Sequence, residues 1–105
     1  MSDADFSRET IQTLNGHAAE LDSMYRGVMA AANNRTEIPN IREIFQEMAD
    51  AARECDEILE IYYGDEDPLL ADVRRAIQRV QDGLFNCASA LVAYMAIARL
   101  TLDSD

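Results

Sequence analysis

Apolar residues recur at alternating intervals of three and four through most of this chain. In its first third they are Ile11, Leu14, Ala18, Leu21, Tyr25, Val28 and Ala32. This spacing places side chains on one face of an α-helix. It predicts a first helix over residues 5–33, in which a kink or a short break is expected at Asn15 and Gly16 because these two residue types lower helix stability.

The same spacing predicts a second helix over residues 40–63. Its apolar face consists of Ile41, Phe45, Met48, Ala52, Cys55, Leu59 and Tyr62, widened by Ile44, Ala51 and Ile58. Asn40 suits the N-cap position, and Glu43 follows it at the spacing of a capping box. Pro39 separates the first two helices because the residue before a proline is driven out of the helical conformation.

A third helix is predicted over residues 68–102, with Asp67 as its N-cap and Pro68 in its first position. Its apolar face consists of Leu70, Val73, Ile77, Val80, Leu84, Cys87, Leu91, Tyr94 and Ala98. No segment alternates between apolar and polar residues with the period of a β-strand. Because short loops join antiparallel neighbours, we predict an all-α fold, an antiparallel three-helix bundle, with residues 1–105 as a single helical domain.

The end of the third helix is predicted to extend beyond this bundle. Antiparallel pairing places Ile41 level with Leu91, after which the third helix continues for about ten residues, or about 15 Å. The stretch from Gly83 to Val92 is therefore predicted to be bundle core. The residues predicted to project beyond the core are Tyr94, Met95, Ile97, Leu100 and Leu102. Leaving each of these side chains in water would lose about 1.5–3 kcal/mol of stabilisation from burial. We therefore expect them to be covered by residues 34–39 or a bent first helix, by a second copy in a homodimer, or by a different protein.

The negative charge is concentrated in the middle of the chain. Twenty acidic residues and nine basic ones, all arginine, give a net charge of −11, and residues 36–67 hold eleven of the acids with only two arginines. Carboxylates at steps of four and three are predicted to form an acidic ridge opposite the apolar face of the second helix. The acidic ridge consists of Glu43, Glu47, Asp50, Glu54 and Glu57, extended by Asp65, Glu66 and Asp67.

The acidic ridge has two interpretations. In the first it is a solvated face that keeps a small protein soluble, partly neutralised by Arg74, Arg75 and Arg79 of the third helix. In the second it binds a partner protein with a basic surface, or occupies a nucleic-acid-binding cleft as a mimic of DNA. The composition argues against direct binding to nucleic acid or to anionic lipid, because both require clustered cations.

The predicted location is cytoplasmic. The first residues lack the basic and apolar regions of a secretory signal. The apolar stretch from Gly83 to Leu102 contains Asn86 and Arg99 and has no positively charged flank, so no membrane span is predicted. In a reducing compartment Cys55 and Cys87 are expected to be free, buried thiols.

No catalytic, cofactor or metal site is predicted. His17 is the only histidine, so the paired histidine motifs of di-iron bundles cannot form. Glu47-x-x-Asp50 with Glu54-x-x-Glu57 resembles the carboxylate pairs with which all-helical nucleotide pyrophosphohydrolases hold magnesium. In that family the order of the two pairs is reversed and they lie on facing helices. No enzyme activity is therefore predicted.

In size, charge and helical character the chain resembles the small acidic inhibitors that phages and mobile elements make against nucleic-acid-handling machinery, such as anti-CRISPR proteins. The resemblance implies a non-enzymatic protein whose acidic ridge meets a basic cleft, with the end of the third helix as an apolar anchor or dimer contact. The alternative is a small helical chaperone or adaptor, as in bacterial secretion systems. In that case the third helix would sequester an amphipathic segment of a client.

Overall fold

Three long helices make up the part of the chain that a computed structural model describes, residues 3–38, 40–61 and 70–103. They are α1 (Asp3–Asn34), α2 (Ile41–Ile61) and α3 (Leu70–Asp103), and these residues contain no β-strand. The all-α three-helix fold is thus confirmed. The predicted boundary signals of residues 62–69, including Asp67 and Pro68, lie outside the described residues.

Helix α1 is continuous through Asn15 and Gly16, so the expected alternative of a break there is wrong. Leu14 and Leu21 are fully buried on either side of this pair, and the Asn15 carboxamide oxygen accepts a hydrogen bond of 3.0 Å from Arg79 of α3. Packing against α3 therefore overrides the low helix propensity of the two residues.

Arg35 ends α1 in the left-handed conformation, with φ of 56°. The Thr36 N–H donates to the Ala31 carbonyl at 3.0 Å, and the Arg35 N–H donates to the Ala32 carbonyl at 3.3 Å. This is the pattern of a Schellman motif, in which glycine usually occupies the left-handed position. Arg35 takes the place of that glycine, and the helix ends within one residue of the predicted boundary.

Helices α1 and α3 run parallel and form the most extensive contact of the bundle. The Cys87 thiol donates to the Leu21 carbonyl at 3.1 Å, and a Cβ atom added to Gly83 would lie only 3.0 Å from the Leu21 Cβ. Fully buried side chains recur every seven residues on both helices, at Leu14, Leu21 and Val28 and at Val73, Val80 and Cys87. We call this heptad contact the α1–α3 seam.

Helix α2 runs antiparallel to both neighbours and covers one side of the α1–α3 seam. One apolar cluster joins Cys55 to Ile77, and a second joins Ile41 to Leu91. These pairs are in the register that the sequence predicts. The face that α2 buries is, however, displaced by one residue from the predicted face.

The core face of α2 is centred on Ile44, Ala51 and Ile58. Phe45 and Leu59, predicted as core, are 52% and 44% exposed. The apolar pattern could not distinguish the predicted face from the observed one, because Ile44, Ala51 and Ile58 are each followed directly by another apolar residue. A helix that lies in the groove between two others buries only the residues that point into that groove.

The bundle is a rod with Cα extents of 61 × 19 × 18 Å. Its radius of gyration is 16.9 Å, against about 13 Å for a compact domain of this length. The elongation follows from the parallel arrangement, since α1 and α3 lie side by side along most of their lengths. A thin rod exposes much of the circumference of each helix.

Candidate functional site

The acidic ridge lies on the flank of α2 that faces α1, and its predicted position opposite the apolar face is wrong. Glu43, Asp50 and Glu57 each precede a core residue by one position. Consecutive residues of an α-helix point about 100° apart. The ridge therefore borders the core instead of lying on the far side of the helix.

His17 of α1 joins two members of the acidic ridge. Its Nδ1 atom lies 2.8 Å from a Glu47 carboxylate oxygen, and its Nε2 atom lies 3.7 Å from a Glu54 oxygen. The His17 and Glu47 side chains are only 18% and 22% exposed. A neutral imidazole donates through one nitrogen, whereas a protonated imidazole donates through both. Sequence reasoning missed this contact; the antiparallel register of α1 and α2 was the signal that could have found it.

Of the other residues of the acidic ridge, one contacts side chains of α2 itself and two are exposed to solvent. Asp50 accepts hydrogen bonds from Arg53 at 3.3 Å and from Gln46 at 3.0 Å. Glu43 and Glu57 are exposed. The carboxylates of α2 that are exposed are those of Glu43, Asp56, Glu57 and Glu60. Asp65, Glu66 and Asp67 lie outside the described residues.

Arginines of α3 are predicted to neutralise the acidic ridge, but two of them contact other residues. Arg75 pairs with Asp72 of its own helix at 3.5 Å. Arg79 donates to Asn15 of α1. The prediction is wrong for these two residues because α1, not α2, is the main neighbour of α3. Arg74 is exposed.

Tyr94 and Ile97 are partly covered within the chain, and residues 34–39, the first of the expected covers, contribute to this cover. The Tyr94 hydroxyl accepts a hydrogen bond of 3.3 Å from the Ile38 N–H. Ile97 and Tyr94 line a cleft of about 240 Å³ together with Ala31 and Ala32 of α1. Helix α1 is long enough to reach this level. Leu100 and Leu102 belong to α3, but their side chains lie outside the described residues, and Met95 is 61% exposed.

Among the described side chains of α3, the largest exposed apolar ones lie on one outward face. Phe85, Val92 and Met95 are 72%, 68% and 61% exposed, and Ala88 is exposed between them. Their spacing of three, four and three places them on one side of the helix. We call these four residues the outer face of α3. The prediction that Gly83 to Val92 is ordinary core is therefore wrong for Phe85 and Val92, although Cys87 and Leu91 of the predicted apolar face are buried.

The segment Leu70–Arg99 of α3 is long and apolar enough to cross a membrane by length and composition, since its most apolar 18 residues have a mean hydropathy of 1.2. Only 22% of its most apolar stretch is buried. Core helices of water-soluble proteins meet the same two criteria. The expectation that the protein does not bind membranes stays a prediction.

The two cysteines are buried and free, as predicted. Burial raises the pKa of the Cys55 thiol, and the Asp56 and Glu54 carboxylates raise this pKa further. Burial and the Asp22 carboxylate raise the pKa of Cys87, against a smaller lowering effect of a backbone hydrogen bond at Tyr25. A raised pKa and limited access make both thiols weak nucleophiles at neutral pH.

Within the described residues no three His, Cys, Asp or Glu side chains are arranged to hold a metal ion. Glu47 and Glu54 lie at opposite nitrogens of His17, so one ion could not replace both contacts in this geometry. Comparisons of the chain with protein-family models, curated proteins and solved structures find no match. Charge and exposed surface are therefore the basis for a functional proposal.

Proposed function

We propose that this protein is a non-enzymatic, cytoplasmic inhibitor that uses α2 to occupy the basic surface of a partner protein. Nucleic-acid-handling proteins are the favoured class of partner because their binding clefts present clustered cations. The main observation that supports the proposal is the negative charge of α2. Its 21 residues contain seven acids and two arginines, a net charge of −5, whereas α3 has three acids and four arginines.

The contacts of the arginines support a binding role over a purely solubilising one. Arg75 and Arg79 of α3 are engaged with Asp72 and Asn15. Arg53 interacts with Asp50 of its own helix. The negative potential of α2 is thus directed outward, where it would speed association with a basic surface.

The carboxylates of α2 differ in exposure, so we expect only some of them to contact the partner directly. Glu47 and Glu54 are held beside His17. The exposed group of Glu43, Asp56, Glu57 and Glu60 would meet the partner directly. Glu47 and Glu54 would contribute to the surrounding field.

Displacement of DNA tests this proposal. A labelled DNA duplex is bound to CRISPR effector complexes, and release on adding the protein is followed by fluorescence anisotropy at low and high salt. We expect release at low salt and its loss at high salt. The variant E43Q/E57Q/E60Q should need at least about tenfold more protein for half-release.

The matched control removes three negative charges from α1. Glu9, Glu20 and Asp22 are exposed, and the variant E9Q/E20Q/D22N should lose no more than about threefold in potency. Equal losses in the two triple variants would show that net charge alone acts. Absence of release from every effector would exclude this class of target.

A second candidate is an adaptor or chaperone of the secretion type. The exposed outer face of α3 favours it, because an exposed apolar stripe on a helix can bind an amphipathic client segment. Binding of such a client would not weaken at high salt, which separates this candidate from the first.

A further inference from the structure

We propose that the outer face of α3 binds a second copy of this chain, in a two-fold symmetric dimer whose α3 helices cross antiparallel. This dimer differs from the one expected at the end of the third helix, since it uses Phe85, Ala88, Val92 and Met95. It goes beyond the proposed inhibitory function, which uses α2. Surface area, shape and charge support it.

The area of the outer face matches the apolar centre of a dimer interface. Phe85, Val92 and Met95 are 72%, 68% and 61% exposed. With about 150–250 Å² for a fully exposed aromatic side chain and less for valine and methionine, together they present at most about 300–500 Å². A standard interface buries about 800 Å² per partner, of which about 65% is apolar in homodimers. The face supplies a large part of that apolar area.

The outer face is complementary to itself about a two-fold axis. If two α3 helices cross antiparallel midway between Ala88 and Val92, each Ala88 lies level with Val92 of the second copy. Phe85 then lies level with Met95 of the second copy. The small alanine leaves room for valine, and the thioether packs favourably against the aromatic ring. A two-fold interface requires this self-complementarity.

Charge at the edges of the face agrees with the same register. Asp82 is exposed and accepts a hydrogen bond from Gln78 at 2.9 Å. In the antiparallel pair it lies within one residue of the level of Arg99 of the second copy, and the symmetry repeats this pair at the other edge. Two α3 helices, each with one more arginine than acids, also repel less than two α2 helices with a net charge of −5.

Sedimentation equilibrium of the whole protein tests the dimer. We expect twice the chain mass of 11.7 kDa at micromolar concentration. V92D should raise the dimer dissociation constant by at least about tenfold. The matched control I61D changes a side chain that is 58% exposed on α2, and it should leave the constant within about threefold. Circular dichroism checks that both variants keep their helices.

A charge exchange tests the antiparallel register separately. D82R should weaken the dimer by about threefold to tenfold, because it places two arginines at the same level. The double variant D82R/R99D should restore wild-type association. Failure of the double variant to restore it would overturn the antiparallel register.

Other outcomes of these measurements would overturn the dimer itself. A wild-type protein that sediments as a monomer would do so, and co-flotation of that monomer with phosphatidylcholine vesicles would assign the face to lipid. A dimer that survives V92D would place the interface elsewhere. The inhibition test uses α2 variants, so either proposal can fail without the other.

Discussion

The α1–α3 seam and the attachment of α2 hold the same bundle together in different ways. The seam repeats a fully buried apolar side chain every seven residues and brings the backbone of Gly83 close to Leu21. Helix α2 has 21 residues against 32 and 34 in α1 and α3. It contacts α1 partly through the polar group of His17 with Glu47. The seam is therefore the more closely packed part of the molecule, and α2 is the charged helix packed against it.

This difference explains how α2 tolerates its own charge. Like-charged neighbours at three and four positions oppose the helix by about 1 kcal/mol in total. Burial of Ile44 and Ile58 offsets this, since each buried aliphatic side chain contributes about 1.5–3 kcal/mol. The buried apolar residues of α2 thus more than offset the repulsion within the helix, which leaves its other surfaces available for charge.

The largest expected effect is a truncation at the centre of the seam. Leu21→Ala should lower the free energy of unfolding by about 3 kcal/mol, because the site is fully buried and the cavity cannot collapse readily. Leu59→Ala on α2 makes the same chemical change at a position that is 44% exposed. It should cost about 1 kcal/mol or less. Urea denaturation measures both, and equal losses would contradict the view that the seam dominates stability.

A smaller effect is expected from a pair of glycine substitutions. Gly16→Ala should stabilise the protein by about 0.8–1 kcal/mol through helix propensity, since a Cβ atom there meets no neighbouring atom within 4 Å. Gly83→Ala gains the same propensity but places its Cβ 3.0 Å from the Leu21 Cβ. Crowding of about 1–3 kcal/mol should make it net destabilising. Thermal unfolding gives the comparison, and stabilisation by both substitutions would show that the seam can widen.

The smallest effect concerns the polar contact of α2. His17→Ala removes the partner of Glu47 and should cost about 1 kcal/mol more than Asn15→Ala, which removes an exposed contact with Arg79. Histidine and asparagine have similar helix propensities, so the gain from alanine cancels between the two variants. Chemical denaturation of both proteins measures the difference. Equal stabilities would mean that the His17 contact contributes nothing to attaching α2.

The helices, their register and the buried faces of α1 and α3 could be predicted from the sequence, but the buried face of α2 could not. Apolar residues at steps of three and four were sufficient to locate three helices and to place Ile41 level with Leu91. Adjacent apolar pairs such as Ile44 and Phe45 made α2 ambiguous by one position. On α3 the predicted face is correct, but further apolar residues around its circumference concealed the exposure of Phe85.

The same limits apply to the prediction of the candidate surfaces. The acidic character of α2 is a property of composition and was accessible from the sequence. The orientation of Glu47 toward His17 depends on packing between helices far apart in the chain, and no local pattern encodes it. The position of Arg79 beside Asn15 likewise required knowledge that α1 is the nearer neighbour of α3.

The parallel course of α1 and α3 also fixes where the described chain begins and ends in space. Asp3 and Asp103 lie at opposite ends of a rod 61 Å long, whereas an even number of such helices would bring them to the same end. Segments fused before and after the bundle would emerge in opposite directions. Joining the two ends in a circular permutant would require a linker of at least about 18 extended residues. Two domains fused to its ends would therefore be held apart by the length of the bundle.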